Sequence, residues 1–265
     1  MNRIYTYKDN EIYCHHTVDE IPDPGDFPIH AHDQMEIFCF LSGKGYYLVE
    51  GSSYELHPGD IMIMRQAETH KLIIDPSSPY ERIAVHFYPK LISDIDKRLL
   101  DPFLNRPLGT GNLFPAREYP ELVNAFTDFN FRQSAMERTH ILSRLLRFLS
   151  DLYDIKKEDS FPESPRDYFS SMVFYVNEHI FEKISTESLS ALFSKSPSQI
   201  RRDFSKATGT TFWKYVSLKR LLSARALLER GESAQNAAYL CGFSDYSSFF
   251  RAYKKYFGHS PSISK

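Results

Sequence analysis

The stretch PIHAHDQMEIF, residues 28–38, places His30 and His32 at i and i+2, with Glu36 four residues beyond the second. In a strand, i and i+2 share one face, so the two imidazoles point the same way. Histidines paired like this, with a carboxylate close by, are how a metal site in an enzyme looks in sequence. The same groups can also hydrogen-bond a small polar molecule. Which chemistry applies depends on the elements that carry them.

From about residue 26 to 90 the pattern is short strands broken by turns. MEIFCFLSGKGYYLVEG reads strand, Ser-Gly-Lys-Gly turn, strand, and HPGDIMIM is a Pro-Gly turn opening an apolar strand. ERIAVHFY alternates Ile83, Val85 and Phe87 with Arg82, Ala84 and His86. This spacing predicts a sandwich or a small barrel. Past Tyr119 the period becomes helical. ERTHILSRLLRFLSDLY puts Ile141, Leu142, Leu145, Leu146, Leu149 and Leu152 on one stripe. That stripe suits packing on the chain's own barrel or a two-helix dimer seam. IKKEDSFPESPRD, residues 155–167, is charged, carries two prolines, lacks periodicity and reads as a linker.

Charge follows the same division. Residues 1–161 hold 17 Lys+Arg against 25 Asp+Glu, a net of −8, and residues 162–265 hold 15 against 9, a net of +6. Together they give the overall −2. A basic C-terminal third suggests a second domain that meets a polyanion. No apolar run approaches the ~20 residues of a membrane span. The start, MNRIYTYKDN, lacks a signal pattern, so a cytoplasmic location is expected. Cys14, Cys39 and Cys241 lie far apart and read as reduced structural thiols.

The C-terminal third carries the most specific grammar. In STESLSALFSKSPSQIRRDFSKATG, Ser185 or Thr186 can cap a short helix, and Ser196 a second one with Pro197 at its first position. Ile200 and Phe204 face inward, leaving Ser198, Gln199, Arg201, Arg202 and Lys206 outside, which is a helix-turn-helix. The pattern recurs in SAQNAAYLCGFSDYSSFFRAYKKYFG, where Phe249, Tyr253, Tyr256 and Phe257 are expected inside and Tyr246, Ser247, Phe250, Arg251 and Lys254 outside. Between them, TTFWKYVSLKRLLSARALLERG is a long amphipathic helix able to hold two recognition helices ~34 Å apart, one DNA turn.

FWKYVSLKRLLSARALL followed by GFSDYSSFFRAYKKYFGHSP resembles the C-terminal domain of AraC/XylS-type transcription regulators. Arg220 with Ala224, then Gly242-Phe243-Ser244-Asp245, Phe249, Arg251, Lys254-Lys255, Phe257-Gly258 and Ser260-Pro261 carry the likeness. Departures are Ala234 and Ala237 in place of larger aliphatics, Ser190 for alanine, Ser194 for glycine at the turn, and the tail SISK. The resemblance implies base reading by Ser198, Arg201 and Arg202, and by Tyr246, Ser247, Phe250 and Arg251, with Gln199 on the same surface. Lys206, Lys254 and Lys255 would meet phosphates. The alternative for any one arginine is a pairing with Asp203 or Asp245 inside the domain.

With that in place, GDFPIHAHDQMEIFCFLSG resembles the first cupin motif and HPGDIMIMRQAETH the second. The likeness implies that His30, His32, Glu36 and His70 converge inside a small β-barrel. Three imidazoles and a carboxylate suit Zn, Ni, Mn or Fe(II). AraC-type regulators commonly carry such a barrel as a sensor without a catalytic metal, so the expected role is a pocket for an effector, a sugar or similar polar metabolite. His30, His32, Glu36, His70, Tyr46 and His86 are its candidate residues. No metal or cofactor is expected, and a divalent ion, if held, would take the same four ligands. Arg82 and Arg65 could orient a ligand or form rim salt bridges, and His57 is expected at the surface.

The fold expected is α+β and multidomain. Residues 1–160 form a cupin-like sensing domain, with a barrel at about 10–90 and dimerisation helices at about 117–155. Residues 161–265 form the double helix-turn-helix DNA-binding domain. Double-stranded DNA, a small-molecule effector, RNA polymerase and a second copy of the chain are the expected partners, with no membrane and no catalysis. The competing readings are a metal-dependent cupin enzyme and a ligand-independent DNA-binding protein that uses its barrel only to dimerise.

Overall fold

Period-two patterning in the N-terminal half yields two facing sheets. The computed structural model describes residues 2–127, 134–158 and 168–261. Its strands are β1 (Asn2–Lys8), β2 (Ile12–Asp19), β3 (Met35–Ser42), β4 (Gly45–Val49), β5 (Ser52–Leu56), β6 (Ile61–Met64), β7 (His70–Ile74) and β8 (Tyr80–Phe87). Helices α1 (Pro89–Asp96) and α2 (Asp101–Leu104), strand β9 (Leu113–Phe114), and helices α3 (Pro120–Thr127) and α4 (Glu137–Glu158) follow. One sheet has the order β1-β2-β8-β3-β6-β9 and the other β5-β4-β7, with antiparallel pairing throughout.

The expected closed barrel does not form among the described residues. β3 pairs with β6 and β8, whereas β4 pairs with β5 and β7. The turn at Gly43 therefore carries the chain from one sheet to the other instead of closing a hairpin. Gly43 has φ +122°, and a Cβ there would lie 3.2 Å from the Pro79 carbonyl oxygen, so the crossing requires glycine. The larger sheet also begins at Asn2, ahead of the residue-10 start expected for the barrel.

Strand alternation sorts the side chains into two cores. Ile37, Cys39, Ile83, Val85 and Phe87 lie on the outer face of the larger sheet and pack under helices through Phe103, Leu122, Phe126 and Phe148. Phe38, Phe40, Tyr47, Met62, Met64 and Leu72 form a second core on the inner faces of the two sheets. Leu145, Leu149 and Leu152 are fully buried in the first core, and Leu142 and Leu146 pack against it. The leucine stripe thus packs into the core of its own domain. The reason is geometric: the outer face of a sheet this apolar must be covered, and α4 covers it.

Helix α4 continues through residues 155–158, the first part of the expected linker. The remainder of that linker, the expected boundary at 160/161 and the tail Ser262–Lys265 lie outside the described residues.

The C-terminal part is helical: α5 (Tyr168–Glu178), α6 (Thr186–Phe193), α7 (Pro197–Thr208), α8 (Phe212–Glu229), α9 (Ala234–Leu240) and α10 (Tyr246–Phe257). Ser185, Ser196, Ser233 and Asp245 cap α6, α7, α9 and α10 with side-chain oxygens, as their types predict. Ser194 takes the left-handed conformation at the α6–α7 turn, with φ +52°, in the place where glycine is usual. One core packs α5, α6 and α7 against the start of α8, and another packs α9 and α10 against its end. Arg220 ties the two units together by donating to the carbonyls of Ile180, Glu182 and Gly242 at 2.6–2.8 Å.

Candidate functional site

The predicted quartet converges. His32 Nε2 lies 2.9 Å and His70 Nε2 3.3 Å from Glu36 Oε2, and His70 Nε2 lies 3.0 Å from His30 Nε2. One donor atom from each of the four falls within 4.8 Å of the others. Register explains this meeting. An isolated antiparallel bridge pairs His30 with His70, and Glu36 stands opposite His86 on the paired strands β3 and β8. His86 Nδ1 is 4.0 Å from Glu36 Oε2, so His86 joins the cluster.

The three Nδ1 atoms of His30, His32 and His70 sit 2.8–3.0 Å from the carbonyls of Pro28, Gln34 and Glu68. A carbonyl only accepts, so each Nδ1 donates its proton there, and the three Nε2 atoms turn inward. Their lone pairs then face one another and a carboxylate, an arrangement that calls for a cation at its centre. A shared proton supplies one such charge. Burial alone would lower the His70 pKa, but the hydrogen bond and charge of Glu36 raise it above the ordinary value. Burial would raise Glu36, yet His86, His32 and His70 hold it well below the usual carboxylate range. Burial pushes His86 down to about 4. Chemically, the donor set also fits a divalent transition metal.

Tyr46 does not reach this site. It is 47% exposed, while its neighbour Tyr47 is buried with its ring 5.9 Å from that of His70. Alternation along β4 allows only one of two adjacent tyrosines inside. Arg65 donates to the Leu104 carbonyl at 3.1 Å, and the His57 side chain is 69% exposed. Sequence reasoning missed His15 and Thr17 on β2. His15 stacks on His86 with ring centres 5.8 Å apart, and Thr17 stands opposite Arg82 on β8. The alternation in IYCHHTVD was the signal for them. Also missed was the fully buried ion pair between Glu68 and Arg106, at 2.7 Å, which Asn112 and the Gly109 N–H complete beneath His70.

The segment carrying the histidines also touches the helical domain. His30 and His32 face the cluster, and the residues between and after them face outward. The Ala31 carbonyl accepts from the Tyr256 hydroxyl at 3.0 Å, and Asp33 pairs with Arg225 at 2.8 Å. Tyr256, expected in the core of α10, is thus 43% exposed and spans to the sheet domain. A second tie is centred on Glu50. Its carboxylate meets Lys219 at 2.8 Å, Asn177 at 2.8 Å, the Thr69 N–H at 2.5 Å and the Tyr215 hydroxyl. Thr69 directly precedes His70.

On α7, Ser198, Arg201, Arg202 and Lys206 are exposed, and on α10 so are Tyr246, Ser247, Arg251, Lys254 and Lys255. Gln199 and Phe250 are half-buried. Gln199 donates to Asp203 at 2.6 Å and accepts from Arg202, so it braces the helix as well as lining its surface. Arg201 is the arginine held within the domain, near Thr186 at 3.3 Å and Glu187 at 4.0 Å, rather than by Asp203. Arg251 reaches Ser248 at 3.4 Å.

Comparison with known proteins gives the same two parts. The family model of the AraC-like ligand binding domain matches residues 23–161, and that of a helix-turn-helix domain matches residues 189–263. The HTH-type transcriptional activator RhaS of Enterobacter sp. (strain 638) is 27% identical over 252 residues, covering 89% of this chain and 86% of that protein. The HTH-type transcriptional regulator YbfI of Bacillus subtilis (strain 168) is 25% identical over 229 residues, 83% of this chain and 80% of that one. Among solved structures, ToxT from Vibrio cholerae aligns over 96% of this chain and 97% of its own, with 15% identity and a TM-score of 0.42. No helix among the described residues is long and apolar enough to cross a membrane. With an AraC-like ligand binding domain followed by two helix-turn-helix units, the chain belongs to the AraC family of DNA-binding transcription regulators.

Proposed function

We propose that the chain is an effector-responsive regulator in which a small polar molecule, a sugar or a related metabolite, binds between the two sheets and changes how α7 and α10 meet DNA. The observation that carries this reading is the segment His30–Asp33, whose alternate residues face the His/Glu cluster and the helical domain. A ligand shifts an equilibrium only if it binds one arrangement better, and this segment gives it a route to do so. Helix α8, of 18 residues, spans about 27 Å and sets the separation of the two reading helices. Arg201, Arg202 and Ser198, with Tyr246, Ser247, Phe250 and Arg251, read bases, while Lys206, Lys254 and Lys255 take phosphates. The pocket binds and does not turn over its ligand. RNA polymerase and a second copy of the chain are the further partners of this reading.

The test is DNA-binding titration of the full chain on its own upstream DNA, with a panel of sugars and polar metabolites. His32→Ala and Glu36→Ala are expected to keep the ligand-free affinity and lose the ligand-induced shift. If neither variant alters the response of the intact protein, the pocket is placed wrongly.

A second reading has one observation in its favour, the four donor atoms within 4.8 Å. Under it, His30, His32, Glu36 and His70 hold a divalent transition metal, which would supply a Lewis-acidic anchor for ligand oxygens. Elemental analysis of protein purified without chelators separates the two: the first reading expects no stoichiometric metal.

A further inference from the structure

The face of β2 and β8 that looks into the space between the sheets carries three buried polar atoms without a hydrogen-bond partner among the described residues. They are His15 Nδ1, Thr17 Oγ1 and Arg82 Nε. Thr17 and Arg82 stand directly opposite each other in the β2–β8 register, so their side chains share one face, and His15 lies two residues along from Thr17 on that same face. Three such atoms at adjoining positions are unusual, because most buried polar side-chain atoms are paired.

Charge sharpens the point. An arginine stays protonated, and burying it without an anion is costly. No carboxylate among the described residues lies within ion-pair distance of Arg82. Its protein contacts are the Tyr80 hydroxyl at 3.2 Å and the faces of Phe27 and Tyr80, each 5.6 Å from its guanidinium carbon. Of the acidic groups on this side, Glu36 is engaged by His32 and His70, and Asp19 lies two residues beyond Thr17, opposite Tyr80. Arg82 is thus a half-buried cation that feels the charge of Glu36 without a direct ion pair to it.

We propose that Arg82, Thr17 and His15 form a carboxylate subsite, and that the effector is a small organic monoanion whose carboxylate pairs with Arg82. The inference rests on the pocket reading above and adds the charge class of the ligand to it. Arg82 Nε and a terminal N–H offer a fork to two carboxylate oxygens, and the Thr17 hydroxyl donates to one of them. A single cation of this kind suits a monoanion, whereas a phosphate dianion would bring excess negative charge beside Glu36. The rings of Phe27 and Tyr80 flank the subsite, and the remainder of the ligand extends towards His86 and the quartet.

The experiment is thermal melting of the full chain with matched pairs at about 20 mM and constant ionic strength: acetate with acetamide, glucuronate with glucose, benzoate with benzamide, and inorganic phosphate alone. At least one carboxylate is expected to raise the melting temperature by about 3 °C or more above its neutral counterpart. That rise should vanish in Arg82→Gln and shrink in Thr17→Val. Arg82→Gln without ligand is expected to melt at the wild-type temperature or above it, since a half-buried charge without a direct ion pair has been removed. The proposal is overturned if no carboxylate exceeds its neutral partner, if phosphate exceeds them all, or if the rise survives in Arg82→Gln. A ligand-free Arg82→Gln that melts well below wild type would also overturn it, by making Arg82 a structural residue. Stabilisation by glucose that depends on Glu36, with no carboxylate effect, would remove this inference while leaving the polar-pocket reading intact.

Discussion

Lys219 Nζ, on the helix that joins the two reading units, lies 2.8 Å from Glu50 Oε1 on the smaller sheet's side, and both side chains are buried. The same ammonium donates to the Ala67 carbonyl at 2.8 Å. Gly51 next to it has φ +88°, and a Cβ there would meet Val173 of α5 at 2.7 Å, so the two domains approach closely at this point. The ion pair is one turn of chain from the quartet, through Thr69 and His70.

Removing one partner of a buried pair leaves the other uncompensated, at a cost of about 3–5 kcal/mol. Glu50→Leu and Lys219→Met should therefore each lower the melting temperature of the full chain, and the double variant should recover much of the loss. A double-mutant cycle measured by denaturant unfolding checks this. Strict additivity would mean the two residues do not meet in solution.

On DNA, Arg202→Ala should cost about 1–3 kcal/mol at a cognate site and relax base preference there. Arg201→Ala should do the same, after the side chain leaves Thr186 and Glu187. Lys254→Ala should weaken binding to all sequences and reduce the salt slope by about one unit. Fluorescence anisotropy over a salt series distinguishes the two behaviours. Unchanged cognate affinity in both arginine variants would reassign the first reading helix.

Leu145→Glu places a charge in a fully buried site beneath the larger sheet. It should unfold the N-terminal domain rather than yield a folded monomer. Circular dichroism and sedimentation on the same sample decide this. A folded, dissociated variant would make the helix a dimer seam.

The Glu68–Arg106 pair gives a pH dependence. Burial would raise the Glu68 pKa, but the Arg106 charge and hydrogen bonds hold it at about 2, against an ordinary 4.5. A depressed carboxyl contributes stability that is present above its unfolded value and is lost as pH falls towards the folded one. The contribution is on the order of 3 kcal/mol and should fade between about pH 5 and pH 2. Glu68→Gln should melt lower at pH 7 and show a flatter acid limb in scans from pH 7 to pH 3. An unchanged acid limb would mean that another group governs it.

Much of this protein is determined by local sequence. Ser185, Ser196, Ser233 and Asp245 announce helix starts because their side chains accept from backbone N–H groups a few residues on, and such contacts need no distant partner. The same holds for Pro197 at a helix start and for the outward-facing arginines of α7. The pairing of His30 with His32 on one side was legible from strand alternation, and the meeting of all four cluster residues followed from the motif resemblance.

What the sequence left open are relations set by long-range register. Whether Tyr46 or Tyr47 faces inward depends on which sheet β4 joins, and β4 leaves its apparent hairpin partner for the other sheet. The stripe Leu145, Leu149 and Leu152 looks the same on a dimer seam as on a covered sheet, because an apolar face does not specify its cover. Glu50 and Lys219 lie far apart in the chain with no local mark of a pairing, and Arg82, Thr17 and His15 become neighbours only when β2 lies against β8. Charge and apolarity are written residue by residue, but the partner of each is chosen by the packing of the whole chain.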